Sequence, residues 1–135
     1  MNEAVLDASV VLKWFRSEGE CHADQALLLR HSFEAGELRV LAPPLLWLEI
    51  LNIAGRRWHW PASRLEELAG TLPSLGFELV EPPLSTVARW VVAGLTAYDA
   101  AYVALADESG IQLYTDDGGV VDKAPSLSIA LSSVT

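Results

Sequence analysis

Apolar positions recur along this chain with two alternating spacings. Short apolar runs predict β-strands at residues 3–7, 38–42, 77–80 and 111–115, with a fifth strand at residues 126–131. Between these runs, apolar residues three and four positions apart predict α-helices. The predicted helices cover approximately residues 9–16, 20–35, 43–58, 61–72, 85–93 and 96–109.

Local signals agree with the ends of several of these elements. Gly36 and Gly110 follow two predicted helices, and Pro61 begins another. Because strands alternate with helices throughout, the pattern predicts an α/β fold with a mostly parallel sheet of four to five strands. The length of 135 residues predicts a single domain spanning residues 1–135. Ligands of such sheets bind beyond the carboxyl ends of the strands.

Composition narrows the possible functions. Hydrophobic residues make up 51% of the chain and charged residues 20%, which argues against disorder. The net charge of −9 argues against a general nucleic-acid coat, because such proteins need a basic surface. It permits an enzyme that handles phosphate through bound cations, and it suits a basic protein partner. Simple solubility explains the charge equally well.

We expect a cytoplasmic protein with no membrane segment. The start of the chain lacks the basic and apolar regions of a signal peptide, and no apolar run approaches the ~20 residues of a membrane span. Cys21 is the only cysteine, so no internal disulfide can form, as is usual in a reducing compartment.

Four carboxylates stand in apolar surroundings that predict buried or half-buried segments. Asp7 lies in VLDASVV, Glu49 in LLWLEIL, Asp99 in LTAYDAAYV and Asp117 in LYTDDGG. A buried charge is costly unless it finds a partner or a metal. Four such acids therefore predict a pocket where carboxylates converge on a hard divalent cation, which prefers oxygen ligands.

Each acid alone has a structural alternative. Asp7 suits a helix N-cap as well as a metal ligand. Glu49 fits a narrow polar stripe on its helix. Asp99 follows Thr96 by three residues, as in a capping box.

The paired acids near the carboxyl terminus also allow two readings. Asp116 and Asp117 precede two glycines, a sequence typical of a turn. Two acids at the end of a strand are equally well placed to bind metal. Ser9 suits either a hydrogen bond to a metal-bound water or the capping of the first helix.

Basic and aromatic residues near these acids are candidates for nucleic-acid contacts. Lys13 and Arg16 lie on the helix after Asp7, and Arg56 and Arg57 end the helix that carries Glu49. For each of them the alternative is a solvated helix face.

Trp58 and Trp60 are candidates for stacking on bases, although packing at a helix end is the commoner role of such residues. The adjacent Cys21 and His22 do not have zinc-site spacing. No glycine-rich phosphate-binding motif is present, so a nucleotide cofactor is unsupported.

The four acidic segments, in this order and setting, resemble those of the PIN-domain nucleases, and most closely the VapC-type toxins of toxin–antitoxin modules. The resemblance extends from Val5 to about Pro125 and is most specific around Asp7 and Asp99. It implies a three-layer α/β/α fold and Mg²⁺- or Mn²⁺-dependent hydrolysis of RNA. The family also implies a VapB-like antitoxin as cognate partner and a homodimer.

The resemblance also implies roles for individual residues. Asp7, Asp99 and Asp117 bind the metal directly or through water. Glu49 binds metal or orients the attacking water. The Thr-x-Asp motif of the family matches 115–117, which makes Asp117 the ligand. The supporting residues are Ser9, Thr115 and Asp116, and the RNA contacts are Lys13 and Arg16.

Other protein classes share parts of this pattern. A haloacid-dehalogenase-like phosphatase needs a second Asp two residues after the first, where this chain has Ser9. A receiver-like signalling domain needs an acidic pair beside the first strand and a late lysine, which Lys123 matches only loosely. A housekeeping PIN nuclease and a non-catalytic PIN binding module remain as further alternatives.

Overall fold

A computed structural model describes residues 2–135, in which five β-strands alternate with seven α-helices. The strands are β1 (Asn2–Leu6), β2 (Leu38–Ala42), β3 (Glu78–Leu79), β4 (Gln112–Thr115) and β5 (Ser128–Ala130). The helices are α1 (Ala8–Phe15), α2 (Ala23–Glu34), α3 (Leu45–Arg56), α4 (Ala62–Thr71), α5 (Leu84–Val92), α6 (Ala97–Ser109) and α7 (Gly118–Lys123). None of these helices is both long and apolar enough to cross a membrane.

The strands form one parallel sheet in the order β3-β2-β1-β4-β5. Successive side chains on a strand face opposite sides of a sheet. In β1, the consecutive residues Ala4, Val5 and Leu6 are all buried, so both faces of the sheet are covered. The predicted three-layer α/β/α fold with a mostly parallel sheet is therefore confirmed.

The strand order places a crevice beside β1. Strands β2 and β3 lie on one side of β1. Strand β4, which follows β3 in the chain, lies on the other side of β1. Connections leave β1 and β4 in opposite directions, and such a switch point opens a binding crevice at the carboxyl ends of the strands. Asp7 directly follows β1, and Asp116 and Asp117 directly follow β4.

Helix α6 brings a third acid to this region. Residues 100–106 are all buried, and the helix packs against both β1 and β4. Four of these seven residues are alanines, whose small side chains allow close approach to the strands. The first turn of α6, with Asp99, therefore lies near the switch point.

The structure differs from the sequence prediction after β4. Gly118 and Gly119 begin the short helix α7 rather than a turn. The helix forms because Asp117 Oδ1 accepts a hydrogen bond of 2.8 Å from the backbone N–H of Gly119, which caps its amino end. Strand β3 is also shorter than predicted, with two residues instead of four, at an edge of the sheet.

Gly94 controls how the chain enters α6. Its φ of +113° is left-handed, and an added Cβ would lie 2.8 Å from Cε of Lys123. We expect Gly94→Ala to lower the free energy of unfolding by about 1–2 kcal/mol, measured by urea denaturation.

Gly70→Ala is the matched control for this substitution. Gly70 lies within α4, and its added Cβ would meet no atom within 4 Å other than those of its chain neighbours and of its own helix backbone. The control should raise the free energy of unfolding by about 0.5–1 kcal/mol, since alanine favours a helix. Equal effects of the two substitutions would contradict this account of the α5–α6 connection.

Candidate active site

Asp7 is a buried carboxylate at the carboxyl end of β1. It occupies the N-cap position of α1, but its side chain makes no capping hydrogen bond. Instead, Oδ1 accepts a hydrogen bond of 2.5 Å from the Ser9 hydroxyl. The side chain is only 5% exposed, and within residues 2–135 it has no ion-pair partner.

Burial raises the pKa of Asp7 to about 6. Hydrogen bonds from Ser9 and Thr115 act in the opposite direction, and the negative charge of Asp99 adds to the increase. At neutral pH this side chain is mainly ionised although it is buried and no basic side chain within residues 2–135 forms an ion pair with it. Such a charge is costly in the protein alone and suits a site that binds a positive ligand.

Asp99 lies in the first turn of α6. The Thr96 hydroxyl oxygen caps the helix by accepting a hydrogen bond of 3.1 Å from the backbone N–H of Asp99. Burial, and next the charge of Asp117, raise the pKa of the Asp99 carboxyl. The first half of the predicted capping box is thus present.

Glu49 projects from α3 toward α6, where its Oε1 accepts a hydrogen bond from the Tyr102 hydroxyl. Burial raises the pKa of Glu49, the bond from Tyr102 opposes this, and the charge of Asp99 adds to the increase. The sequence interpretation missed Tyr102, which is 2% exposed. Its position one helical turn after Asp99 was the available signal, since residues three apart share a helix face.

Asp117 is exposed and uses one carboxylate oxygen to cap α7. Its backbone N–H donates a hydrogen bond of 3.1 Å to the Thr115 hydroxyl, which is fully buried at the end of β4. These two contacts fix the Asp117 backbone at the carboxyl edge of the sheet.

Asp116 takes part in a different set of contacts. Its carboxylate lies 3.2 Å from Lys13 Nζ and 2.8 Å from His22 Nδ1. Its backbone N–H donates a hydrogen bond of 2.8 Å to the Ser9 hydroxyl. Ser9 therefore links the loop after β4 to Asp7.

The two basic residues predicted to contact RNA lie in different environments. Lys13 is buried, and its ammonium contacts Asp116 and, at 3.4 Å, Glu20. Its location favours an internal ion pair over an RNA contact, because two carboxylates already compensate its charge. Arg16 is exposed at the end of α1, with its guanidinium carbon 5.4 Å from the centroid of the Trp58 ring.

The four acids singled out in the sequence line one open cleft of about 260 Å³. They are Asp7, Glu49, Asp99 and Asp117. Arg57, the residue after α3, lines the same cleft and is its basic component. The cleft thus combines several anionic oxygens with a single guanidinium group.

The donor set fits a hard divalent cation such as Mg²⁺ or Mn²⁺. All four acidic side chains offer oxygen, and the charge of Asp99 contributes to the raised pKa of both Asp7 and Glu49. Within residues 2–135, no three His, Cys, Asp or Glu residues form a group that could by itself hold a metal ion. Mg²⁺ usually binds one or two carboxylates directly and keeps several waters, so it does not require three protein ligands in one group.

Comparisons with known proteins agree with this fold. A family model described as PIN domain matches residues 4–124, whereas comparison with curated proteins found no match. The crystal structure of PAE2754 from Pyrobaculum aerophilum is similar, with a TM-score of 0.68 and 26% identity over 98% of this chain and 92% of that one.

Two further solved structures share the fold at lower identity. VapC20 of Mycobacterium tuberculosis, described as a sarcin-ricin loop cleaving toxin, has a TM-score of 0.67 and 16% identity over 88% of this chain and 93% of its own. FitAB bound to an IR36 DNA fragment has a TM-score of 0.57 and 14% identity, covering 98% of this chain and 97% of that one.

The buried charge of Asp7 makes the metal-free protein sensitive to pH. Its folded-state pKa of about 6 exceeds the ordinary value of 3.8, so its ionisation opposes folding above pH 6 and ceases to do so as the pH falls toward 4. In chelator-treated protein at pH 7.5, Asp7→Asn should therefore raise the free energy of unfolding by about 1–3 kcal/mol. The gain should shrink at pH 4, as measured by urea denaturation.

The exposed Asp122 on α7 provides the matched control. Asp122→Asn should change the unfolding free energy little at either pH. A metal-free Asp7→Asn protein that is less stable than wild type at pH 7.5 would contradict the assignment of an uncompensated charge.

Proposed function

The chain belongs to the PIN domain family, and we propose that it is a Mg²⁺- or Mn²⁺-dependent ribonuclease that acts as the toxin of a toxin–antitoxin pair. One observation carries the proposal: Asp7, Glu49, Asp99 and Asp117, far apart in sequence, line a single cleft at the carboxyl end of the sheet. A phosphodiester is anionic, so an acidic cleft attracts it only when cations reverse the local charge.

Asp7, Asp99 and Asp117 are proposed to hold the metal, either directly or through its bound waters. A bound divalent cation supplies positive charge beside the scissile phosphate and lowers the pKa of water. Asp7 is the most rigidly held of these ligands, since it is buried and bonded to Ser9. Asp117 uses one oxygen as a cap and keeps the other for the cation or its waters.

Glu49 is proposed to orient the attacking water and to accept its proton. The Tyr102 hydroxyl occupies Oε1, which leaves Oε2 of Glu49 for that water. The raised pKa of Glu49 improves it as a proton acceptor near neutral pH. Arg57 is proposed to contact the phosphate oxygens from the same cleft.

Ser9, Thr115 and Asp116 are proposed to position these groups. Ser9 bonds both Asp7 and the Asp116 backbone, so it ties the end of β1 to the end of β4. Thr115 holds the Asp117 backbone, and Lys13 holds the Asp116 carboxylate. Through these contacts Lys13 would act on the site by positioning rather than by touching RNA.

The cognate partner is proposed to be a VapB-like antitoxin with a basic segment. A net charge of −9 and an acidic cleft are complementary to such a segment. An inserted arginine would pair with the carboxylates and take over the compensating role of the metal charge. Two proteins of similar fold agree with a toxin–antitoxin pair, since VapC20 is described as a toxin and FitAB is bound to DNA.

The protein is further proposed to act as a homodimer in the cytoplasm. Apolar side chains that stand exposed on two helices favour burial against a second copy. They include Leu48 on α3, which is 70% exposed, and Leu84 and Val92 on α5, which are 83% and 88% exposed. A cytoplasmic location would bring the protein to its proposed substrate, RNA.

Asp99→Asn tests the catalytic proposal. The substitution removes the negative charge that raises the pKa of both Asp7 and Glu49, and it removes a proposed metal-binding carboxylate. Metal-dependent cleavage of single-stranded RNA should therefore fall by at least about 100-fold. The melting temperature should not fall, because repulsion within the cleft is reduced. Cleavage is measured with Mn²⁺ on total cellular RNA and on labelled oligonucleotides.

Asp122→Asn is again the control and should cut at the wild-type rate. Wild-type activity of Asp99→Asn would refute the proposed site. A wild-type protein that binds RNA but does not cut it would favour the non-catalytic binding module. Cleavage without growth arrest on overexpression would favour a housekeeping nuclease.

A further inference from the structure

Basic side chains in this acidic protein have two kinds of environment. The lysine and arginine residues with carboxylate partners are Lys13, Arg30 and Arg39. Five other arginines are exposed and form no ion pair with any described residue; one is Arg89 on α5, and the remaining four lie on or next to three helices that pack together. They are Arg16, Arg56, Arg57 and Arg64, at the end of α1, the end of α3 and the start of α4.

Two of these arginines, Arg16 and Arg64, each lie over a tryptophan ring. The guanidinium carbon of Arg16 lies 5.4 Å from the ring centroid of Trp58, and that of Arg64 lies 3.6 Å from the centroid of Trp60. The two indole rings contact each other, with centroids 5.2 Å apart. We call this surface the arginine–tryptophan ridge; it consists of Arg16, Arg56, Arg57, Trp58, Trp60 and Arg64.

Contact with an indole orients a guanidinium without cancelling its charge. An ion pair would neutralise the arginine, whereas a cation–π contact leaves the full charge and the N–H donors for another ligand. Part of the side-chain entropy is already lost in the free protein, which lowers the cost of binding. The ridge is therefore prepared to receive an anion.

The backbone also holds the two tryptophans in place. His59, between them, has a left-handed φ of +56°, a conformation that is unfavourable for a residue other than glycine. The backbone N–H groups of Trp58 and Trp60 donate hydrogen bonds of 3.0 Å to the carbonyls of Ile53 and Ala54. Thus the turn after α3 is fixed to the last turns of that helix.

A half-open cavity of about 220 Å³ lies beside Trp60 and has the character of a base-binding site. Phe15, Trp60 and Leu68 give it apolar walls, and Arg64 adds hydrogen-bond donors. Glu67 and Thr71 complete the lining, and the Thr71 hydroxyl donates its hydrogen bond to the backbone carbonyl of Glu67. Aromatic rings and guanidinium planes both stack on unpaired bases. The combination suits a nucleobase with its phosphate next to the arginine.

The ridge is continuous with the acidic cleft. Arg57 lines the cleft, and the next residue, Trp58, belongs to the ridge. An RNA strand with one phosphate in the cleft can therefore continue past Arg57 toward the other arginines. The net charge of −9 makes such a positive path important, because acidic surface elsewhere repels a nucleic-acid backbone.

We propose that the arginine–tryptophan ridge binds the single-stranded RNA that flanks the scissile phosphate and stacks one of its bases in the Trp60 cavity. This inference rests on the proposed ribonuclease function. Stacking needs bases that are not paired, so the ridge selects single-stranded over duplex RNA.

The double variant Arg16→Gln/Arg64→Gln tests the ridge by RNA binding. We would make it in the Asp99→Asn background, so that labelled single-stranded RNA stays intact in Mg²⁺, and measure binding by fluorescence anisotropy at several salt concentrations. Affinity should fall about tenfold, and the slope of log affinity against log salt should become shallower by about 1.4, or 0.7 for each lost phosphate contact. Duplex RNA should bind more weakly than the single strand.

Arg30→Gln is the matched control, since Arg30 is paired with Glu34 at 3.2 Å on α2. It should bind RNA as the parent protein does. Trp60→Phe keeps an aromatic ring in the cavity and should reduce the quenching of tryptophan fluorescence by single-stranded RNA. The melting temperature of every variant is measured first. It should be unchanged in the double variant, because Arg16 and Arg64 are both exposed.

Kinetic measurements on the double variant without the Asp99→Asn substitution test the role of the ridge separately from the nuclease activity. The double variant should raise KM about tenfold and change kcat less than about twofold, because the ridge holds RNA away from the reacting bond. If the double variant binds and cuts RNA like the wild type, the ridge is refuted and the nuclease stands. If no protein cuts RNA but the double variant still loses affinity, the nuclease is refuted and the ridge stands.

Discussion

A buried negative charge without a counter-charge in the described chain is the constraint around which this structure is organised. Asp7 follows the central strand, is 5% exposed and has a pKa raised to about 6 by burial. The strand order places β4 beside β1, so the acid-bearing loop after β4 meets Asp7 at the switch point of the sheet. Helix α6 adds Asp99, whose charge opposes the ionisation of Asp7 further. This repulsion costs stability and prepares a site for a cation.

The contrast between neighbouring acids supports this interpretation. Asp116 has two basic partners, Lys13 and His22, and is thereby an anchor for its loop. Asp117, the next residue, lines the cleft and has no ion pair within residues 2–135. Of these two adjacent residues, Asp116 has a charge that is compensated within the protein, whereas Asp117 has a charge that is left for a ligand.

The sequence predicted much of this arrangement because its signals were local. Alternating apolar runs and helical spacing identified the parallel sheet, and lone acids in those segments identified the lining of the cleft. The Glu49–Tyr102 contact was not predicted, because the two residues are 53 positions apart in the chain. The contact depends on how α3 and α6 are placed relative to each other. For the same reason the sequence could not show that Lys13 faces Asp116. Helix α7 was missed because its two glycines favour a turn until the Asp117 cap is known.

Anomalous diffraction from crystals soaked in Mn²⁺ tests the central claim most directly, because it locates the cation without assuming any activity. The account predicts a manganese peak in the cleft, within coordination distance of Asp7 or Asp99, and its loss in crystals of Asp99→Asn. Wild-type crystals at millimolar Mn²⁺ that show no peak in the cleft, or peaks only elsewhere on the surface, would contradict it.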